Sequence, residues 1–146
     1  GQIVAAGRSE WIQDLVANGI AGARVVQLQV AGAFHTPFMQ EAVDALAEFA
    51  STLSVQDPQV ALWSNKDGRQ VKSGSEALEL LVGQVANPVR WDLCMNAMQA
   101  AGVNRLVELA PGGALAGLAK RGMVGTEVVA LKTRENLEAA KTLLSN

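Results

Sequence analysis

Residues 106–121 read LVELAPGGALAGLAKR, and the hydrophobic pattern changes within this stretch from a strand to a helix. The apolar run 106–110 has the length of a short buried strand, and the Pro-Gly-Gly sequence at 111–113 supplies the residues of a tight turn. The segment 114–121 then has a helical pattern and ends in two cations, which suit the negative end of a helix dipole. A strand that turns directly into a helix is typical of layered α/β or α+β domains.

The same alternation of short apolar runs and amphipathic segments continues on both sides of this stretch. Further strands are predicted over 3–6, 26–30, 60–63 and 128–131. Further helices are predicted from capping residues at Ser9, Thr36, Ser73, Asn87 and Thr133. The signal is strongest at Thr36-Pro37, where a cap precedes a proline in the first helical position, and at Ser73 and Glu76, which have the spacing of a capping box.

Composition excludes several classes of protein. The 146 residues contain 12 Lys and Arg against 14 Asp and Glu, scattered along the chain, so a nucleic acid or an anionic membrane is not an expected partner. The single cysteine, Cys94, cannot form an internal disulfide, and no Cys/His cluster has zinc-ligand spacing, so no metal site is predicted. No secretion signal or membrane-spanning run is present, and we expect a protein of the reducing cytoplasm.

The only histidine, His35, lies in the stretch VAGAFHTPFMQ at 30–40, directly before a predicted helix. The positive end of a helix dipole favours the neutral imidazole, and a neutral ring can accept a proton as a general base. The neighbouring rings of Phe34 and Phe38 would lower the local dielectric constant. The alternative is an imidazole that only hydrogen-bonds a loop.

A matching nucleophile is missing from the chain. No serine lies in a Gly-x-Ser-x-Gly elbow, and Cys94 falls among the apolar residues of a predicted helix, where a thiol usually serves as inert packing. The turn at 111–113 follows a strand and precedes a helix, as a phosphate cradle would, but it lacks the Gly-x-Gly-x-x-Gly pattern. The residues therefore indicate a base without its nucleophile.

Three motifs together resemble the C-terminal half of the malonyl-CoA:acyl carrier protein transacylase family. They are GAFHTPFM at 32–39, GQVANPVRW at 83–91 and the stretch 106–121, in the family's order and at about its separations. GQIVAAG at 1–7 resembles the strand with which the small subdomain of that family resumes. The resemblance implies that 1–32 are part of a ferredoxin-like small subdomain. It also implies that 33–146 are the C-terminal part of a large, α/β-hydrolase-like acyltransferase subdomain.

The resemblance implies a role for four residues. His35 is the catalytic base, paired in the family with a serine that this chain does not contain, and a backbone carbonyl at Gln84 orients its ring. Asn87, in the Asn-Pro-Val motif, helps to build the loop around Gln84, and it is also a candidate for a plain helix cap. Phe34 accompanies malonyl selection in related domains, where serine accompanies methylmalonyl; its alternative is ordinary core packing.

The implied activity is transfer of a malonyl group from malonyl-CoA to the phosphopantetheine thiol of acyl carrier protein, in cytoplasmic fatty acid biosynthesis. The thioester is already activated, so no metal or redox cofactor is expected. The implied partners are malonyl-CoA, the carrier protein and the missing N-terminal half of the enzyme. The isolated chain is expected to be inactive. Two alternatives remain, namely an acyltransferase domain of a polyketide synthase and a non-catalytic α/β interaction module.

Overall fold

The computed structural model describes residues 2–145, which form two compact units. Unit 1 contains residues 2–66 and 70–89, and unit 2 contains residues 67–69 and 90–145. The predicted mixture of strands and helices is confirmed in the structure. Within residues 2–145, no helix combines the length and apolar character needed to cross a membrane.

Unit 1 is mainly helical. Its helices are α1 (Ser9–Asn18), α2 (Gln40–Ala50) and α3 (Gly74–Gly83), with 3-10 turns at Pro37–Met39 and Gln84–Ala86. A short antiparallel hairpin joins β1 (Leu62–Trp63) to β2 (Gln70–Val71), with Leu62 opposite Val71. Helix α2 packs against α3 and against the turn that ends it, and this packing holds the two 3-10 turns next to each other.

Unit 2 is built around two parallel strands. Its elements are α4 (Trp91–Ala100), β3 (Arg105–Glu108), α5 (Ala114–Gly122), β4 (Glu127–Ala130) and α6 (Asn136–Ser145). Strands β3 and β4 pair from Arg105–Glu127 to Glu108–Ala130, and α5 supplies the crossover that parallel strands require. Helices α5 and α6 pack on the strands, over a core in which Met123 and Cys94 are almost completely buried.

The predicted strands over 3–6 and 26–30 are wrong for this structure. Neither segment is a strand. In the part of the chain that separates them, the structure records an isolated bridge between Ile20 and Ala23. An apolar segment becomes a strand only when a neighbour satisfies its N–H and C=O groups, and neither segment is paired within residues 2–145. Ile3 remains 93% exposed as a result. The division of the chain at residue 32 stays a prediction.

The predicted cap at Ser73 is confirmed, and three of the others, at Ser9, Asn87 and Thr133, do not precede the helix start directly. The Ser73 hydroxyl accepts the Glu76 N–H at 3.2 Å, as a capping box requires. In contrast, α1 already includes Ser9, α4 begins at Trp91 after Asn87-Pro88, and α6 begins at Asn136. Asn87 has the extended φ of −117° and ψ of 150° that a cap adopts, but its side-chain amide donates back to the Gly83 carbonyl and so serves the preceding turn.

Candidate active site

His35 has a backbone conformation that few residues other than glycine adopt. Its φ is 63°, in the left-handed region, which costs about 1–3 kcal/mol unless the surroundings impose it. Here the His35 N–H donates to the Val85 carbonyl at 2.9 Å, and the hydroxyl of Thr36 donates to the Ala33 carbonyl at 2.6 Å. Thr36 and Pro37 occupy the predicted cap and first positions, ahead of the 3-10 turn Pro37–Met39 that leads into α2, but the Thr36 hydroxyl closes the turn around His35 and bonds no helix N–H.

The His35 side chain makes one specific contact with the end of α3. Nδ1 lies 2.7 Å from the backbone carbonyl oxygen of Gln84. Because a carbonyl oxygen can only accept, Nδ1 must carry a proton, and in the neutral ring the lone pair is then on Nε2. The residue is exposed, so a ring held in this tautomer can receive a proton from a molecule outside the described chain.

Gln84 presents its carbonyl because α3 ends there. The Gln84 N–H completes the last helical turn, and its carbonyl oxygen accepts the Asn87 N–H at 3.2 Å as well as the imidazole. The Asn87 amide donates back to the Gly83 carbonyl at 2.7 Å, which closes the turn from the other side. The carbonyls at a helix C-terminus carry partial negative charge, and the ring therefore faces the end of α3 and not, as the sequence suggested, only the start of the following helix.

Asn65 is a member of this cluster that the sequence did not reveal. It lies in the turn that follows β1, and its Nδ2 donates to the side-chain oxygen of Gln84. Nothing in the local pattern distinguishes it from an ordinary turn asparagine. The hydrogen bond joins positions 19 residues apart, which no short motif records.

Phe34 and Phe38 lie on either side of the histidine in sequence, and both rings are more exposed than core residues. Phe34 is 50% exposed and Phe38 is 59% exposed. Within the described residues Phe34 is therefore not part of a packed core, and the core-packing alternative stays untested. A half-exposed ring beside His35 is available to contact a ligand, and its role in selection stays a prediction.

An open, mainly apolar groove of about 520 Å³ lies beside this cluster in unit 1. Gln84 and Asn65 contribute its polar lining, and Leu62, Trp63 and Leu81 are among its apolar residues. Leu62 and Leu81 are 41% and 56% exposed. The hydrogen-bonded cluster therefore borders an open apolar surface.

The Pro-Gly-Gly turn is not a phosphate cradle in this structure, because a side chain of the chain itself fills it. The buried carboxylate of Glu108 accepts the N–H groups of Gly113, Leu115 and Ala116 at 2.6, 2.9 and 3.0 Å. Burial raises the pKa of Glu108, but the three backbone donors outweigh this effect and hold the pKa below its ordinary value. The sequence analysis missed this role of Glu108.

Cys94 has the packing role that the sequence predicts. The residue is 2% exposed, and burial, reinforced by the charges of Asp67 and Asp92, raises the pKa of its thiol. A raised pKa lowers the thiolate fraction, so the thiol is a poor nucleophile. Within residues 2–145, no group of three or more His, Cys, Asp or Glu side chains is arranged to hold a metal ion.

Comparison with known proteins shows what this arrangement is similar to. No family model matches the chain. The malonyl CoA-acyl carrier protein transacylase of Mycobacterium bovis is 43% identical over 143 residues, covering 98% of this chain and 47% of that protein. The crystal structure of MCAT from Mycobacterium tuberculosis has a TM-score of 0.85 and 41% identity, covering 91% of this chain and 44% of that chain.

A third similar protein was solved with a partner. It is a malonyl-transacylase in complex with its type II PKS acyl-carrier protein, with a TM-score of 0.76, 32% identity and coverage of 86% of this chain and 40% of that chain. The chain spans about half the length of the curated relatives it matches, and the match falls on their C-terminal half. The predicted resemblance and the predicted α/β acyltransferase fold are therefore confirmed over that half.

Proposed function

We propose that this chain supplies the base-carrying half of a malonyl-CoA:acyl carrier protein transacylase. The observation that carries the proposal is the His35 ring, exposed and held through Nδ1 on the Gln84 carbonyl at 2.7 Å. That contact leaves the Nε2 lone pair for proton transfer. The nucleophile is a serine hydroxyl carried by the N-terminal half of the enzyme, since none of this chain's serines lies in a Gly-x-Ser-x-Gly elbow and its one thiol is inert.

The reaction consists of two acyl transfers that share one proton carrier. Nε2 of His35 takes the serine proton as the oxygen attacks the malonyl thioester, and it returns that proton to the sulfur of CoA when the C–S bond breaks. In the second half, Nε2 takes the proton of the phosphopantetheine thiol as its sulfur attacks the ester. The serine oxygen leaves and recovers the proton. Because the thioester is already activated, we propose that neither a metal nor a redox cofactor takes part.

A backbone carbonyl replaces the aspartate of a conventional triad in this proposal. The Gln84 oxygen accepts a hydrogen bond from Nδ1–H throughout, which keeps the ring in one tautomer, and the partial negative charge at the end of α3 stabilises the positive ring that forms in each transfer. Asn87 contributes by fixing the turn through its bond to Gly83. Both hydrogen bonds lie within unit 1.

Phe34 is the proposed selectivity residue. Its half-exposed ring next to His35 narrows the space beside the acyl group and rejects the additional methyl of methylmalonyl. Discrimination against one methyl group is worth about 1–3 kcal/mol. The proposed partners are malonyl-CoA, acyl carrier protein and the N-terminal half of the enzyme, and the proposed setting is cytoplasmic fatty acid biosynthesis.

A chimaera tests the proposal. Residues 1–146 replace the matching C-terminal half of the Mycobacterium tuberculosis transacylase, and malonyl transfer from malonyl-CoA to the phosphopantetheinylated carrier protein is measured. We expect transfer by the chimaera, a loss of about 10²- to 10⁴-fold with His35→Ala, and no turnover by the 146-residue chain alone. A folded chimaera without transfer, or full activity of His35→Ala, would contradict the proposal.

A further inference from the structure

A continuous set of hydrogen bonds connects Asn65 to the catalytic ring. Asn65 Nδ2 donates to the side-chain oxygen of Gln84, and the backbone oxygen of the same Gln84 accepts from Nδ1 of His35. Gln84 therefore accepts one hydrogen bond, from Asn65, on its side chain and another, from His35, on its backbone carbonyl. Whatever fixes the position of Gln84 also fixes the direction of its carbonyl.

Asn65 is itself held in place. It follows Ser64, which is 5% exposed and directly succeeds strand β1. The Ser64 hydroxyl accepts the Lys66 N–H at 3.1 Å, so a side-chain turn fixes the backbone on both sides of Asn65. Asn65 therefore reaches Gln84 from a defined position and not from a freely moving loop.

The other hydrogen bonds of Gln84 involve its backbone and do not hold its side chain. The Gln84 N–H is directed along α3, toward the Leu80 and Val82 carbonyls, and the Asn87 N–H bonds to the Gln84 oxygen from the following turn. These contacts keep the 3-10 turn closed. The bond from Asn65 is the one recorded to the Gln84 side chain within residues 2–145, and it ties the turn to the β1 side of unit 1.

We infer that Asn65 is a positioning residue for His35, acting through the side chain of Gln84. It holds the Gln84 carbonyl toward Nδ1 and so maintains the tautomer that leaves Nε2 as the base. The catalytic consequence of the inference rests on the proposed function. The positional consequence does not, because it concerns the state of the ring in the chain itself.

The single histidine allows a direct test. In the 146-residue chain labelled with ¹⁵N, long-range ¹H–¹⁵N correlation spectra contain one imidazole, and its two nitrogen shifts report which nitrogen carries the proton. We expect the Nδ1–H tautomer in the wild type at a pH where the ring is neutral. With Asn65→Ala we expect a shift toward the Nε2–H form that free histidine prefers in water.

A matched control and a second variant make the result decisive. Asn18→Ala removes an exposed asparagine that bonds Asp14 on α1, and we expect it to leave the tautomer unchanged. Gln84→Met keeps the backbone carbonyl but removes the side-chain acceptor, and we expect the same tautomer shift as with Asn65→Ala. The double variant should shift no further, because both changes remove one interaction.

The outcomes separate positioning from simple stabilisation. If Asn65→Ala unfolds the chain, Gln84→Met tests the same bond from its other partner. A folded Asn65→Ala or Gln84→Met with wild-type nitrogen shifts would overturn the inference, as would a double variant with additive effects. In the chimaera we expect Asn65→Ala to lower kcat by roughly 2- to 10-fold, the value of about one hydrogen bond, with KM for malonyl-CoA unchanged.

The two proposals fail in different ways. An inactive chimaera whose His35 is still in the Nδ1–H tautomer overturns the proposed function and leaves the positioning of the ring intact. An active chimaera in which Asn65→Ala changes neither the tautomer nor kcat overturns the inference alone.

Discussion

Helix α3 places the Gln84 carbonyl, and the first residue of this helix makes a close approach that only glycine permits. A Cβ added to Gly74 would overlap the carbonyl oxygen of Gln56 and lie 2.7 Å from its carbon. The obstacle is backbone, which cannot rotate away as a side chain can. The Gly74 N–H also donates to the Asp57 carboxylate at 2.9 Å, so moving the helix breaks this bond too.

The size of the effect follows from two opposing contributions. Overpacking against fixed atoms costs about 1–3 kcal/mol, and a backbone obstacle places Gly74→Ala at the upper end of that range. Alanine is favoured over glycine in a helix by about 0.5–1 kcal/mol. We therefore expect Gly74→Ala to lower the free energy of unfolding by roughly 2 kcal/mol.

Gly83, at the other end of α3, provides the matched control. It has a helical φ of −65°, and an added Cβ would meet no atom within 4 Å. Gly83→Ala should therefore raise the free energy of unfolding by about 0.5–1 kcal/mol. The same methyl group is added to the same helix in both variants, and the difference between them isolates the close approach at Gly74.

Equilibrium urea denaturation followed by circular dichroism measures both variants against the wild type. Equal m-values show that the comparison concerns stability and not the compactness of the unfolded state. If Gly74→Ala is as stable as Gly83→Ala, the close approach of α3 to Gln56 does not exist in the protein.

Two further predictions concern unit 2. Because folding depresses the pKa of Glu108, its carboxylate stabilises the protein above the ordinary carboxyl range, near pH 4.3, and this contribution is lost as pH falls through the folded-state value. Glu108→Gln should lower the urea midpoint at neutral pH, and its midpoint should approach that of the wild type in acid. The control Glu79→Gln, at an exposed position, should leave the midpoint unchanged at both pH values. Equal midpoints for Glu108→Gln and the wild type at neutral pH would refute the stabilisation of this carboxylate by three backbone N–H groups. Since burial raises the pKa of the Cys94 thiol, iodoacetamide should label native protein slowly at mildly alkaline pH and urea-unfolded protein rapidly, and fast native labelling would contradict its burial.

The parts of the fold that the sequence predicts are those with local causes. The stretch 106–121 forms strand, turn and helix as expected, because the turn residues and the change of period lie next to each other. The Ser73 capping box is equally local. The segments 3–6 and 26–30 fail because a strand depends on a partner, and the sequence of a segment does not show whether that partner is present.

The candidate site divides in the same way. His35 stands out as the only histidine next to a helix start, but its partner Gln84 is 49 residues away and contributes a backbone atom that every residue possesses. Only the resemblance pointed to that position. The contacts of Asn65 and Glu108 follow from the folded geometry, with no motif to mark them, so the structure was needed to find them.

The chemistry of a carbonyl explains why such a cluster needs positioning. An aspartate beside an imidazole attracts the ring by its full charge, over a range of orientations and distances. A neutral carbonyl offers a directional and weaker acceptor, so its effect on the tautomer depends on where its lone pairs point. The left-handed backbone at His35, the bond from Asn87 and the bond from Asn65 restrict that direction from three sides. Because a carbonyl cannot take the Nδ1 proton, a ring held in this way can exchange protons only at Nε2, as the proposed transfer requires.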